Sequence, residues 1–318
     1  MENFIVQDTG FGQPIRGADR RRSRRAKRWL MNVAFTAIAS CAVHPALALA
    51  QATDTRTADT APALVGKLAV DQQVRWLRQA AQTGALARLD DAQLVALFSA
   101  LDPQTVPRYV KEGPNGYPSY EFTMRRQERI KGEWTARPDH MLVRMTREPL
   151  RIYMTWLPDG PHAGQEAIYD ETKRSDAMYG HLGGVLNIMP IWTSIDGSLA
   201  RAQSNHSVRD LGTEFIATQF VDEATKYADA GALRPQSVEV RTIDGVRVIA
   251  LSYEVKNGAS GFYAKKKTLG LDLRWPYFRT VEAYGDDGQL FEKIVLESVT
   301  PKTFDAATFD PKNPAYRF

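Results

Sequence analysis

The closing segment, Phe309-Asp310-Pro311-Lys312-Asn313-Pro314-Ala315-Tyr316-Arg317-Phe318, limits the fold of this chain more than any other stretch. Two prolines remove two backbone donors and hold their neighbours extended, so neither a helix nor a central strand forms there. Phe309, Tyr316 and Phe318 are nevertheless costly to leave in water. A stiff aromatic tail of this kind is expected to strap across the outside of a sheet, and the chain ahead of it must supply that sheet.

The preceding segments do read as strands. Tyr120, Phe122 and Met124 alternate with Glu121, Thr123 and Arg125, the period-two signature of a half-buried antiparallel strand. Met141–Met145, Leu150–Leu157 and Ala167–Asp170 follow, with Pro149 marking a bend or bulge. Further on, 237–242 and 246–255 flank Asp244-Gly245, a hairpin signal, and 265–272, 276–284 and 290–298 complete the set. Lys265-Lys266-Lys267 opens one of these strands and is expected to protect a sheet edge. Three helices stand out. Val70, Val74, Leu77 and Ala81 share one helical face, Leu94, Leu97, Phe98 and Leu101 a second, and residues 211–230 read as a long helix closed by Gly231. The predicted architecture is α+β: a strongly curved antiparallel sheet, a half-barrel of about eight to ten strands, wrapped round a helix, with two helices ahead of it.

Residues 1–50 are expected to lie outside that fold. A basic block from Arg20 to Arg28, an apolar run from Trp29 to Val43 and Ala48-Leu49-Ala50 together predict an export signal peptide. Ile38-Ala39-Ser40-Cys41 offers an alternative, lipidation at Cys41 and a membrane-anchored lipoprotein. The segment carries eight of the 41 Lys/Arg and three of the 37 Asp/Glu, leaving 33 against 34 in the remainder. The basic balance therefore belongs to the leader, and nothing in it points to nucleic acid. Cys41 is the single cysteine, so the mature protein would have neither disulfides nor thiol chemistry. The expected organisation is a signal peptide over 1–50, a flexible spacer over 51–66, a helical pair over 67–104 and the curved-sheet domain over 105–318.

No motif announces catalysis. There is no Gly-x-Ser-x-Gly or Ser-x-x-Lys, and the glycines of 180–184 precede no Lys-Ser/Thr. His140, His162, His181 and His206 share no ligand spacing, so neither a metal nor another cofactor is expected. His206, with Asp210 and Glu214 nearby, is the one histidine with a carboxylate in reach to orient it as a base. Arg147 and Arg151 are candidates for an anionic head group at a cavity mouth, and Tyr153, Trp156, Tyr169 and Tyr179 for a pocket lining. For each the structural alternative is plain: snorkelling arginines balanced by Glu148 and Glu166, and aromatic core at strand spacing.

Residues 120–318 resemble an uncharacterised family of bacterial exported proteins, one of the domain-of-unknown-function groups. The matching pieces are 147–156 (Arg-Glu-Pro-Leu-Arg-Ile-Tyr-Met-Thr-Trp), 164–169 (Gly-Gln-Glu-Ala-Ile-Tyr), 205–212 (Asn-His-Ser-Val-Arg-Asp-Leu-Gly) and the closing tail. More distantly, the order of elements is similar to the half-barrel of periplasmic lipoprotein carriers and outer-membrane lipoprotein receptors. That likeness implies an apolar space between sheet and helix that holds acyl chains. With the export signal, it predicts a non-catalytic periplasmic protein that carries or senses a lipid, a lipoprotein acyl chain or another apolar ligand. Two alternatives stand beside it: an envelope hydrolase using His206 with a nearby carboxylate, and a scaffold binding envelope protein partners.

Overall fold

The computed structural model describes residues 62–112, 117–183, 189–256 and 260–318. The expected signal peptide with Cys41, and the spacer as far as residue 61, lie outside the described residues. The spacer expected to run to residue 66 ends sooner, because Pro62–Val65 is already a helical turn (α1) with Val65 fully buried.

Four more helices follow: α2 (Val70–Gln82), α3 (Ala85–Arg88), α4 (Asp91–Ala100) and α5 (Thr105–Glu112). Helix α4 begins where Asp90 accepts from the Gln93 amide at 2.7 Å while Gln93 Oε1 accepts from the Asp90 amide at 3.0 Å, a reciprocal capping box. Gln73 is buried in α2 and ties this region together. Its Oε1 accepts from Asp102 N at 3.0 Å and from the Thr105 hydroxyl at 2.6 Å. Helix α5 falls where the sequence suggests the sheet domain should begin. Its Tyr109 and Val110 are buried in the same apolar cluster as the sheet.

Among the described residues twelve strands form the sheet: β1 (Ser119–Ile130), β2 (Glu133–Trp134), β3 (Asp139–Arg147), β4 (Leu150–Trp156), β5 (Glu166–Asp170), β6 (Ala177–His181), β7 (Ile191–Ser194), β8 (Ser237–Ile243), β9 (Val246–Glu254), β10 (Lys266–Asp272), β11 (Phe278–Tyr284) and β12 (Leu290–Pro301). The order is β7-β6-β5-β4-β3-β1-β12-β11-β10-β9-β8, with β2 paired to β1. Two meanders are thus joined where the long strands β1 and β12 pair, and the path stays open, with β7 and β8 at its ends. Asp244 and Gly245, both at positive φ, turn β8 into β9 in two residues, as the Asp-Gly signal predicts. The three strands beyond the sequence reading are β2, β6 and β7. They are short, and β6 (Ala-Met-Tyr-Gly-His) shows no clean alternation.

Between the two meanders come helix α6 (Ser198–Arg201) and the long helix α7 (Thr213–Asp229), around which the sheet curves. Phe220 of α7 packs on Tyr253 of β9 and edge-on against Phe278 of β11, both at 5.1 Å between ring centres. At the other end of the helix, Tyr120 of β1 donates to Glu214 at 2.6 Å and accepts from the Thr213 amide at 3.1 Å. This approach requires Gly212. Its φ is +89°, and a Cβ there would lie 2.2 Å from the Tyr120 hydroxyl.

The outer face of β4 and β5 carries the tail. Tyr316 stacks on Tyr153 at 4.1 Å, Phe309 is buried against Tyr153 and Ile168, and Phe318 lies 5.5 Å from Tyr179. The Arg317 amide donates to Glu166 Oε2 at 2.7 Å. Period two supplies the binding surface: Tyr153 and Ile168 occupy the outward phase of strands whose inward phase (Ile152, Met154, Ala167, Tyr169) joins the main core.

Candidate functional site

Helix α7 covers the β9–β1 half of the inner face. Among the described residues the β3–β7 half is covered by the short α6 and by residues 203–211, and a cavity of about 240 Å³ lies beneath them. Its walls are mainly apolar, with four methionines (Met141, Met154, Met178 and Met189) and Trp156 prominent. Unbranched thioether side chains adapt to irregular occupants. Gly180 of β6 also lines the space. A side chain there would come within 2.8 Å of the Glu166 carbonyl, so glycine keeps β5 and β6 close. The rim is exposed and greasy: Met189 is 80 % exposed, Ile191 49 % and Leu199 41 %.

The floor is polar. Arg126 and His206 line it, and behind them sit Glu128 and Glu292, only 3 % and 2 % exposed. Arg126 Nε is 3.0 Å from Glu128 Oε2, whose other oxygen accepts from the Asn205 amide at 2.9 Å. His206 Nε2 is 2.5 Å from Glu292 Oε1 and 3.1 Å from the Tyr263 hydroxyl. Burial pushes the Glu292 carboxyl up. Its hydrogen bonds with His206 and Tyr263 and the nearby charges of His206 and Lys267 more than offset this, leaving it below the usual carboxylate range. Tyr263 is pushed well above a normal phenol by burial and by Glu292. Glu128, His206 and Glu292 place ligand-type atoms within 4.8 Å of one another, a grouping that histidine spacing does not reveal because it draws on β1, a loop and β12. Each carboxylate in it already faces a cationic or hydrogen-bonding partner, Arg126 for one and His206 for the other.

Two of the seven sequence candidates, Trp156 and His206, line this cavity. The other five stand elsewhere. Arg147 pairs with Glu214 at the start of α7 at 3.3 Å, and Arg151 with Asp170 at 3.4 Å. Tyr153 and Tyr179 are under the tail, because their strand phase points outward. Tyr169 faces inward but is fully buried and accepts from Arg209 Nε at 2.8 Å. His206 is oriented by Glu292 rather than by the carboxylates near it in sequence: Asp210 is 3.9 Å away, and Glu214 is engaged with Tyr120. Lys267 does not protect an edge. It lies on the inner strand β10, 1 % exposed, with Nζ 2.5 Å from Glu223 Oε2 of α7.

The polar floor left a legible trace in the sequence. Tyr120, Phe122, Met124, Arg126 and Glu128 share one phase of β1, and all five are buried. Two charges continuing an apolar phase mark a site more sharply than the aromatic residues do.

The family described as "Protein of unknown function (DUF1571)" matches residues 117–318, and the chain belongs to it. No curated protein matches. Among solved structures, the chain is similar to an uncharacterized conserved protein from Thermus thermophilus, at 11% identity over 66% of this chain and 94% of that one (TM-score 0.35). It is also similar to an outer membrane lipoprotein-sorting protein domain from Vibrio parahaemolyticus, at 13% identity over 66% and 97% (TM-score 0.31). A third similar structure is the Mycobacterium tuberculosis lipoprotein LppX, at 11% identity over 65% and 98% (TM-score 0.35). Overlaps this loose transfer no site and no ligand to this chain.

Proposed function

We propose that this member of the DUF1571 family is an exported, non-catalytic binding protein of the cell envelope that holds one lipid or acyl chain in the β3–β7 cavity. The observation that carries this reading is the cavity itself, walled by methionines and opening at an exposed apolar rim. Its volume, about 240 Å³, exceeds the roughly 150 Å³ that accommodates benzene and falls short of the roughly 300–1,000 Å³ of drug-sized sites. A single chain of modest length suits it better than several chains together. Each methylene drawn from water contributes about 0.8 kcal/mol, so a chain of eight to ten carbons supplies roughly 6–8 kcal/mol before the costs of association. Export rests on the leader expected over residues 1–50. Among the described residues no helix is long and apolar enough to cross a membrane.

The test is native mass spectrometry of protein purified from the cell envelope, paired with titration of a fluorescent fatty acid. Co-purified lipid and saturable uptake are the expected results. A protein that arrives empty and takes up no probe ends the proposal. A second reading, ester hydrolysis by His206, draws on the placement of that imidazole in the cavity wall against Glu292. Release of acid from a short-chain ester, abolished in His206→Gln, would favour it over simple carriage.

A further inference from the structure

Arg126 is 8 % exposed and lines the cavity, and among the described residues its one polar contact is the Nε–Glu128 ion pair. That Nε makes no hydrogen bond of good geometry, although the guanidinium carries five N–H donors. Two more residues of the same wall repeat the pattern. Among the described residues, the indole Nε1 of Trp156 (7 % exposed) and the Oγ of Ser207 (8 % exposed), both buried within the wall, have no partner. Buried donors left unmet are expensive, at about 1–3 kcal/mol each. Three residues with donors in want of acceptors around one cavity describe the missing half of a hydrogen-bonded complex.

The charge of the floor narrows the choice. Arg126 is balanced by Glu128, and Glu292 by His206 when the imidazole is protonated. The four groups together are then neutral, and with the imidazole neutral they carry a net negative charge. Asp210 adds a further carboxylate 3.9 Å from His206, while Lys267 is cancelled by Glu223. Glu166 and His181, which also line the cavity, face each other at 3.3 Å, so with its carboxylates ionised the floor carries no net positive charge. A carboxylate entering it would be an uncompensated buried charge. A carbonyl would meet the same donors at no such cost.

We infer that the ligand is an uncharged amphiphile whose acceptor-bearing head, an ester or amide carbonyl, sits at the Arg126–Trp156–Ser207 wall while its chain lies among the methionines. The inference deepens the proposed binding function and depends on it.

Three ten-carbon probes separate the possibilities on the full mature protein by isothermal titration calorimetry: methyl decanoate, decanoate and decane. The ester is expected to bind at least about tenfold more tightly than either of the others, the equivalent of about 1.4 kcal/mol. Trp156→Phe and Ser207→Ala, which remove one donor each with little change of shape, are expected to draw the ester-to-decane ratio towards one. Arg126→Met paired with Glu128→Met, which leaves no lone charge, is expected to abolish it. Tightest binding by decanoate overturns the inference in favour of an anion site. Equal binding of ester and decane overturns it while leaving the apolar cavity reading intact. If none of the three binds, the binding function itself falls.

Discussion

Replacing Lys267 with methionine tests the buried charge chain on which the cavity floor rests. Lys267 Nζ contacts Glu223 Oε2 at 2.5 Å and Gln219 Oε1 at 3.1 Å, with the lysine side chain 1 % and the glutamate side chain 7 % exposed. Without the ammonium, Glu223 keeps, among the described residues, the Tyr263 amide at 3.2 Å. Removing one partner of a buried ion pair costs about 3–5 kcal/mol, because the other charge stays buried and uncompensated. At roughly 2–4 °C per kcal/mol for a domain of this size, the melting temperature should fall by about 6–20 °C. The double variant Lys267→Met with Glu223→Leu should recover most of that loss. A small residue of about 1 kcal/mol remains because the Tyr263 amide loses its acceptor. The double variant should therefore be about 2–4 kcal/mol more stable than Lys267→Met alone in urea unfolding, a recovery that only coupled side chains give. Tyr263 links this pair to His206 at the cavity floor, so the single variant should also weaken ligand uptake. A single-variant loss below about 1 kcal/mol with no coupling would place Lys267 at a solvated surface and refute the buried chain.

Other perturbations probe the remaining contacts. Leu199→Glu and Ile191→Glu, at the exposed rim, should each lower lipid uptake without moving the melting temperature; a large thermal shift would mean the rim is core. Gly212→Ala should destabilise by more than about 1–3 kcal/mol in denaturant titration, since strain at φ +89° adds to the contact with Tyr120. Glu292 has a depressed pKa, so its contribution is present above its unfolded value of about 4.3 and lost as pH falls through its lower folded value. Glu292→Gln should therefore be less stable than wild type at pH 7, with the gap closing below about pH 4 in urea titrations run across pH. Tyr316→Ala, which removes the stack on Tyr153 and a 2.7 Å hydrogen bond to the Thr308 carbonyl, should release the tail to limited proteolysis at a stability cost of about 1–3 kcal/mol.

Phase and capping explain what the sequence made legible. The alternation in Tyr120–Met124, the Asp244-Gly245 turn and the apolar stripe of α7 are local signals, and each produced its element. The tail was legible because its prolines exclude regular structure while its aromatics demand cover. The site was harder to read. Arg147, Arg151, Tyr153 and Tyr179 are conspicuous in sequence, yet a one-residue difference in strand phase sends Tyr153 to the tail and Met154 to the cavity. The Glu292–His206 pair spans 86 positions, and no spacing rule reaches that far.

The cavity has a simple origin in helix length. Helix α7 has 17 residues, and its Phe220 and Tyr227 fill the concave side of β9–β11 with rings. Helix α6 has four residues and no buried side chain, so it roofs β3–β7 without filling the space below. A core that needed only stability would close that gap, since unfilled apolar volume lowers stability by about 24 cal/mol per Å³. Because the space opens to solvent at the rim, that measure, about 6 kcal/mol for 240 Å³, is an upper limit on the packing left unmade. An occupant that restores those contacts and satisfies the donors of Arg126, Trp156 and Ser207 would recover much of it. The loaded protein should accordingly melt several degrees above the empty one, and identical melting curves would show that the gap is no binding site.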